Sequence, residues 1–163
     1  LKQLLLTNPM VTSIHKPDDH DRKRKNDLFV EYRKQWFTFE VKSLQTNSIS
    51  KLPDGTFKGI VQVDASDKRT VTLPDGTKLE TTCLLRGEFD VLAVSLFQFR
   101  EEWRFAFTLN RDLPHSTHKA YTPAQREQLL ASSVKVAWPI NPPFVLNPFV
   151  LLDALIDERS NTI

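Results

Sequence analysis

One cysteine, one methionine and four glycines among 163 residues set the first limits. A lone Cys83 can form neither an internal disulfide nor a cysteine-based zinc site, and it reads as a small buried apolar residue. Four glycines leave no Gly-rich loop to cradle nucleotide phosphates, and no Gly-x-Ser-x-Gly appears, so nucleotide hydrolysis and esterase chemistry are disfavoured. No apolar run is long enough to span a bilayer, and no signal-peptide pattern opens the chain. An intracellular protein without a membrane partner is therefore expected. A large excess of one charge is missing too: 22 Lys+Arg against 20 Asp+Glu give +2, so any polyanion partner must be met by local clustering. The four histidines offer no metal-ligand set, since His115 and His118 have no third ligand nearby.

What is present is a globular composition, 40% hydrophobic and 26% charged, expected to form one domain over residues 1–163. Leu1 to Leu6 reads as the end of a helix cut short, so the chain is expected to be a fragment or C-terminal module of something longer. Residues 15–27 are charge-rich and should form an exposed loop. Leu28 to Tyr32 and Trp36 to Lys42 then form two strands about a turn at Arg33-Lys34. Val61 to Arg69 is expected to be a helix, because Gln62, Ser66 and Arg69 recur at i, i+4, i+7. The near-copies Leu52-Pro-Asp-Gly-Thr56 and Leu73-Pro-Asp-Gly-Thr77 mark turns, the second inside a hairpin of Thr70–Leu73 and Lys78–Leu84. Phe89 to Phe99 is apolar on both faces and should be a central strand, followed by a strand from Trp103 to Leu109. Thr122-Pro-Ala-Gln125 starts a helix running to about Ser132, four prolines make an extended strap of 138–148, and a helix of 149–157 closes the chain. The fold class that follows is α/β or α+β around a mixed sheet.

The residues most suited to chemistry are Asp27, Glu40 and Lys42. Acid-x-Lys alone is weak: this composition yields about 1.5 copies by chance, and Asp21-Arg22-Lys23 is another. Context separates them. Glu40 and Lys42 share the face of an otherwise apolar strand, where burying charge is costly unless the face has partners or opens into a site. An even-length turn at Arg33-Lys34 pairs residues whose numbers sum to 67, which sets Asp27 across from Glu40 with Cβ atoms roughly 5 Å apart. Two carboxylates that close call for a divalent cation, and all-oxygen ligation favours Mg²⁺.

These residues, Asn26-Asp27 and, after twelve residues, Glu40-Val41-Lys42, resemble the PD-(D/E)xK signature of the restriction-endonuclease-like nucleases. Phe89 to Val94 is similar to the strand that follows the second helix of that fold. The resemblance implies a restriction-endonuclease-like core, a central mixed β-sheet flanked by helices, that hydrolyses DNA phosphodiesters with Mg²⁺, for which Mn²⁺ can substitute. Asp27, Glu40 and the Val41 carbonyl would hold the metal, and Lys42 would act on the attacking water and the phosphate. Gln62, Ser66 and Arg69 would line the site or contact DNA. Arg22, Lys23, Arg24 and Lys25 would neutralise phosphates beside it.

The reading is a metal-dependent endodeoxyribonuclease, the cleavage module of a restriction or defence enzyme. It would work with an upstream recognition domain or methyltransferase partner, and a homodimer would suit double-strand cleavage. A repair or junction-resolving nuclease and a catalytically inactive DNA-binding module of the same fold are the alternatives. A solvated salt-bridge patch on an exposed sheet is the bland explanation of Asp27, Glu40 and Lys42.

Overall fold

The computed structural model describes residues 1–17 and 26–161. A short helix α1 (Lys2–Leu5) leads into strand β1 (Val11–His15), whose last residue, His15, pairs with Phe29 and so belongs to the sheet and not to the expected loop of residues 15–27. Strands β2 (Leu28–Tyr32) and β3 (Gln35–Ser43) follow as a hairpin. Its register runs from Tyr32↔Gln35 through Val30↔Phe37 to Leu28↔Phe39, the sum-67 pairing. The two turn residues, Arg33 and Lys34, both take positive φ, 49° and 62°. A two-residue loop needs this left-handed pair so that its twist matches the strands, and here neither residue is the usual Asn or Gly.

After β3 the chain makes a second sheet before returning to the first. Strands β4 (Ser50–Lys51) and β5 (Phe57–Gln62) form one hairpin, and β6 (Arg69–Thr72) and β7 (Lys78–Thr81) another. Both Leu-Pro-Asp-Gly-Thr copies close in the same way: Gly55 and Gly76 sit at φ near 82° and donate to the carbonyls of Leu52 and Leu73. The helix expected over Val61–Arg69 is absent. Lys58, Gly59, Ile60, Val61 and Gln62 alternate outward and inward as strand β5, and the chain then loops to β6.

Strand β8 (Val91–Ser95) returns parallel to β3, and β9 (Phe105–Leu109) pairs antiparallel to β8. The apolar run Phe89–Phe99 is thus a strand only to Ser95 and then turns through a short helix, α2 (Phe97–Arg100). Helix α3 (Pro123–Gln128) has the capping box of Thr122 and Gln125. It stops short of Ser132 because Leu129 and Leu130 are used in bridges to Leu85 and His115. Strand β10 (Ser133–Trp138) joins β5, and α4 (Phe149–Asn161) ends the chain.

The result is an α+β fold around a mixed five-stranded sheet, ordered β1-β2-β3-β8-β9. One face is covered by α1 and α4, with Leu5 and Leu152 packed on Val30, Phe37, Phe39 and Phe107. The other face, at its β8–β9 half, carries Leu92, Val94 and Ala106 against Val61 and Val136 of the smaller β10-β5-β4 sheet and Val63 just past β5. Strand β8 is therefore buried on both sides, which explains its unbroken apolar run.

Candidate functional site

Strand β3 carries Phe37 and Phe39 into the helix-covered core, so strand alternation sends Thr38, Glu40 and Lys42 to the opposite face. Glu40 stands beside Leu92 of β8 and is buried, with a side chain only 9% exposed. Its charge is answered by its strand neighbour: Lys42 Nζ lies 2.9 Å from Glu40 Oε1. The same ammonium reaches the backbone carbonyl of Asp64 at 3.4 Å. Lys42 is thus held between the strand that bears it and the chain just past β5.

Asp27 reaches this site by leaving the ladder. In a regular hairpin its N–H would point away from β3. Instead it donates to the Phe39 carbonyl at 3.1 Å, and the Asp27 carboxylate accepts the Val41 N–H at 2.7 Å. The side chain takes the place of the next backbone acceptor. Asp90 does the same from the other side of β3: its carboxylate accepts the Thr38 N–H at 2.7 Å and the Thr38 hydroxyl at 3.0 Å.

The charges around Glu40 act on one another. Burial pushes Glu40 above the ordinary glutamate range; Lys42 opposes this, whereas the Asp27 carboxylate, and beyond it Glu88, push the same way. Glu88 is itself buried and held by Arg69, whose Nη2 donates to its Oε2 at 2.6 Å while Nη1 contacts Oε1. Glu88 also accepts the Leu85 N–H at 2.7 Å. These hydrogen bonds to Glu88 raise Arg69 above its ordinary value. One carboxylate oxygen of Asp64 is buried without a hydrogen-bond partner.

Asp27, Glu40 and Lys42 therefore come together at one end of β3. Gln62 is exposed at the end of β5, where its amide oxygen accepts from Gln45 Nε2 at 3.0 Å. Ser66 is exposed in the loop that follows, and Arg69 begins β6 with its guanidinium committed to Glu88 and the Cys83 carbonyl. Gln62, Ser66 and Arg69 share no helical stripe, because no helix is there. Arg22, Lys23, Arg24 and Lys25 lie outside the described residues. Sequence reasoning missed Asp64 and Glu88. The one signal for Asp64 was an acid set between Val63 and Ala65; Glu88 gave none.

Among the described residues, no three Asp, Glu, His or Cys side chains converge on a point that could hold a metal ion. A cation here would have to use two carboxylates, Asp27 and Glu40, with backbone oxygen and water. The donor set fits a hard cation: it is all oxygen, its acids repel one another, and Mg²⁺ is commonly held by one or two carboxylates with several waters retained. The Val41 carbonyl lies on the same strand edge as the N–H that Asp27 binds, beyond the end of β2 pairing.

No helix among the described residues is long and apolar enough to cross a membrane. No protein family and no curated protein matches the chain. Among solved structures, the bacterial homing endonuclease I-Ssp6803I aligns with a TM-score of 0.41 at 16% sequence identity, covering 78% of this chain and 80% of that one.

Proposed function

We propose that this chain is a metal-dependent DNA endonuclease of the PD-(D/E)xK kind, with Asp27, Glu40 and Lys42 as its catalytic group. The observation that carries the reading is the convergence of two mutually repelling carboxylates and one lysine at the end of a single strand, with the glutamate buried. A structural ion pair would need only Glu40 and Lys42. The second acid, pinned by its own backbone and side-chain bonds, adds negative charge beside a buried glutamate, which an ion pair alone does not require.

Asp27, Glu40 and the Val41 carbonyl would hold Mg²⁺, or Mn²⁺ in its place; when bound, such an ion lowers the pKa of water and stabilises charge on a phosphate. The chain's own residues do the rest. Glu40 holds Lys42 Nζ in place through the 2.9 Å contact, and the Asp64 carbonyl limits its swing. An ammonium so placed donates hydrogen bonds to the phosphate and to the attacking water, and it offsets charge that grows in the transition state. Asp27, with one oxygen committed to Val41, keeps its other oxygen available. A role in restriction or defence, with an upstream recognition domain or methyltransferase, is the biological setting this chemistry suits.

Incubation of the chain with supercoiled plasmid and Mg²⁺ tests the reading. Nicked or linear product is expected with the wild type, and none is expected with EDTA or with Glu40→Ala or Lys42→Ala. Cleavage that survives either substitution would remove these residues from the chemistry.

A further inference from the structure

Two side-chain oxygens beside the candidate site are buried and meet no hydrogen-bond donor in the protein: Asn26 Oδ1 and Asp64 Oδ1. A buried acceptor without a donor is costly and calls for a water or an ion. Asn26 immediately precedes Asp27, whose N–H is fixed to the Phe39 carbonyl. Asp64 stands on the other flank. Its carbonyl lies 3.4 Å from Lys42 Nζ, which in turn lies 2.9 Å from Glu40 Oε1. The backbone on both sides of Asp64 is tied down: the Val63 N–H donates to the Ser132 carbonyl at 2.9 Å and the Ala65 N–H to the Thr82 carbonyl at 2.7 Å.

The pairing just past β3 shows where Asp64 stands against that strand. Leu44 bridges antiparallel to Val61, and the Gln45 N–H bonds the Ile60 carbonyl at 2.8 Å. Carried back along β3, this register brings Asp64 across from Val41. Opposed residues share a face, so Asp64 belongs to the face of β3 that carries Val41, while Glu40 and Lys42 belong to the other. The Val41 N–H and carbonyl lie between the two faces, at the edge where the Asp27 carboxylate is bound. A cation held there by Asp27, Glu40 and the Val41 carbonyl would meet Glu40 from one face and leave its opposite side to water.

We propose that Asp64 and Asn26 form the outer ring of this cation site, accepting hydrogen bonds from waters that the ion retains. The assignment rests on the nuclease reading for the ion itself. Mg²⁺ keeps several waters when one or two carboxylates hold it, and those waters need acceptors. Asn26 and Asp64 supply acceptors that no protein group uses. An outer place also agrees with the finding that, among the described residues, no three acidic side chains converge on one point. Both are positioning residues: they orient the waters of the ion, and Asp64 adds charge that favours a cation.

Calorimetric titration of the whole chain with Mn²⁺ alone, beside urea unfolding in EDTA, tests the assignment. Asp64→Ala is expected to weaken Mn²⁺ binding about 10-fold or more, and Asn26→Ala by a smaller factor. Asp64→Asn, of the same shape but neutral, should weaken it in the same direction. Asp54→Ala, in an exposed turn, should match the wild type. Without metal, Asp64→Ala should unfold at the wild-type urea midpoint or above it, because the orphaned oxygen has no bond to lose. An affinity within about twofold of the wild type in both Asp64 variants would leave the two oxygens to ordinary buried water and overturn the proposal. So would a clearly lower urea midpoint in both, which would make Asp64 a structural residue. If Asp27→Asn abolishes Mn²⁺ binding and neither Asp64 variant weakens it, the outer ring alone falls. If the Asp64 variants lose affinity while the wild type cleaves no plasmid, the outer ring stands and the nuclease reading falls. A wild type that binds no Mn²⁺ would overturn both.

Discussion

The Asp27 carboxylate accepts the Val41 N–H at 2.7 Å, so an acid on one strand is positioned by the backbone of the strand that carries Glu40 and Lys42. The bond separates two roles of one side chain. Asp27→Asn keeps an oxygen acceptor for Val41 and removes the charge, whereas Asp27→Ala removes both. The asparagine variant should unfold in urea within about 0.5 kcal/mol of the wild type, and the alanine variant about 1–2 kcal/mol lower, the worth of a charge-assisted hydrogen bond at an exposed residue. Both should lose plasmid cleavage. Full cleavage by Asp27→Asn would confine Asp27 to structure.

Glu40 predicts a pH dependence with a definite sign. Its native pKa lies above the ordinary 4.5, chiefly through burial. Between those two values the native state binds more protons than the unfolded chain, so stability falls as pH rises through that window. Glu40→Gln should remove this part of the slope, leaving a flatter curve of unfolding free energy above pH 4.5. Urea melts at several pH values check this. An identical slope in wild type and variant would mean Glu40 is not the group that titrates.

A cation that settles between Asp27 and Glu40 should stabilise the native state by mass action. At ten times its dissociation constant, Mg²⁺ adds about 1.4 kcal/mol, or about 3–5 °C in Tm for a chain of this length. Thermal unfolding with and without Mg²⁺ should show the rise in the wild type and lose it in Asp27→Asn and Glu40→Gln. A rise of equal size in all three would place the ion elsewhere.

Much of this site could be read from the sequence, and the limits of that reading are physical. The register of β2 and β3 followed from an even-length turn and clean alternation, both local properties. The central position of β8 followed from apolar residues on both its faces. The helix expected at Val61–Arg69 failed because the window began inside a strand: Phe57 to Ile60 already alternate, and only glycine fits at position 59, where Ile49, Phe99 and Leu44 crowd the direction a Cβ would take. The early stop of α3 reflects bridges made by Leu129 and Leu130, which outweighed helical preference. Glu88 and Asp64 join the site only through contacts far along the chain, and no local pattern encodes them.

The Arg69–Glu88 pair predicts an asymmetric response to substitution. Removing Arg69 leaves a carboxylate that is 6% exposed without its guanidinium, beside Glu40. Arg69→Ala should cost about 3 kcal/mol in urea unfolding. Replacing both partners with apolar residues, as in Arg69→Met with Glu88→Leu, should recover part of that loss. Additive losses in the double variant would show that the two side chains do not act as a pair.

The hairpin turn offers a gain in stability. Lys34 holds φ at 62° with a side chain that disfavours it, and makes no ion pair among the described residues. Lys34→Gly should stabilise the fold by about 0.5–1 kcal/mol. Arg33 is better kept, since it approaches Asp153 at 3.4 Å and stacks over the Tyr32 ring. A loss in urea melts of Lys34→Gly would mean the unfolded chain gains more freedom than the turn gains in fit.

Asp27 takes its coordinates from β3, through Phe39 and Val41. A shift of that strand therefore carries Asp27, Glu40 and Lys42 together and preserves their spacing, so the three side chains behave as one rigid unit.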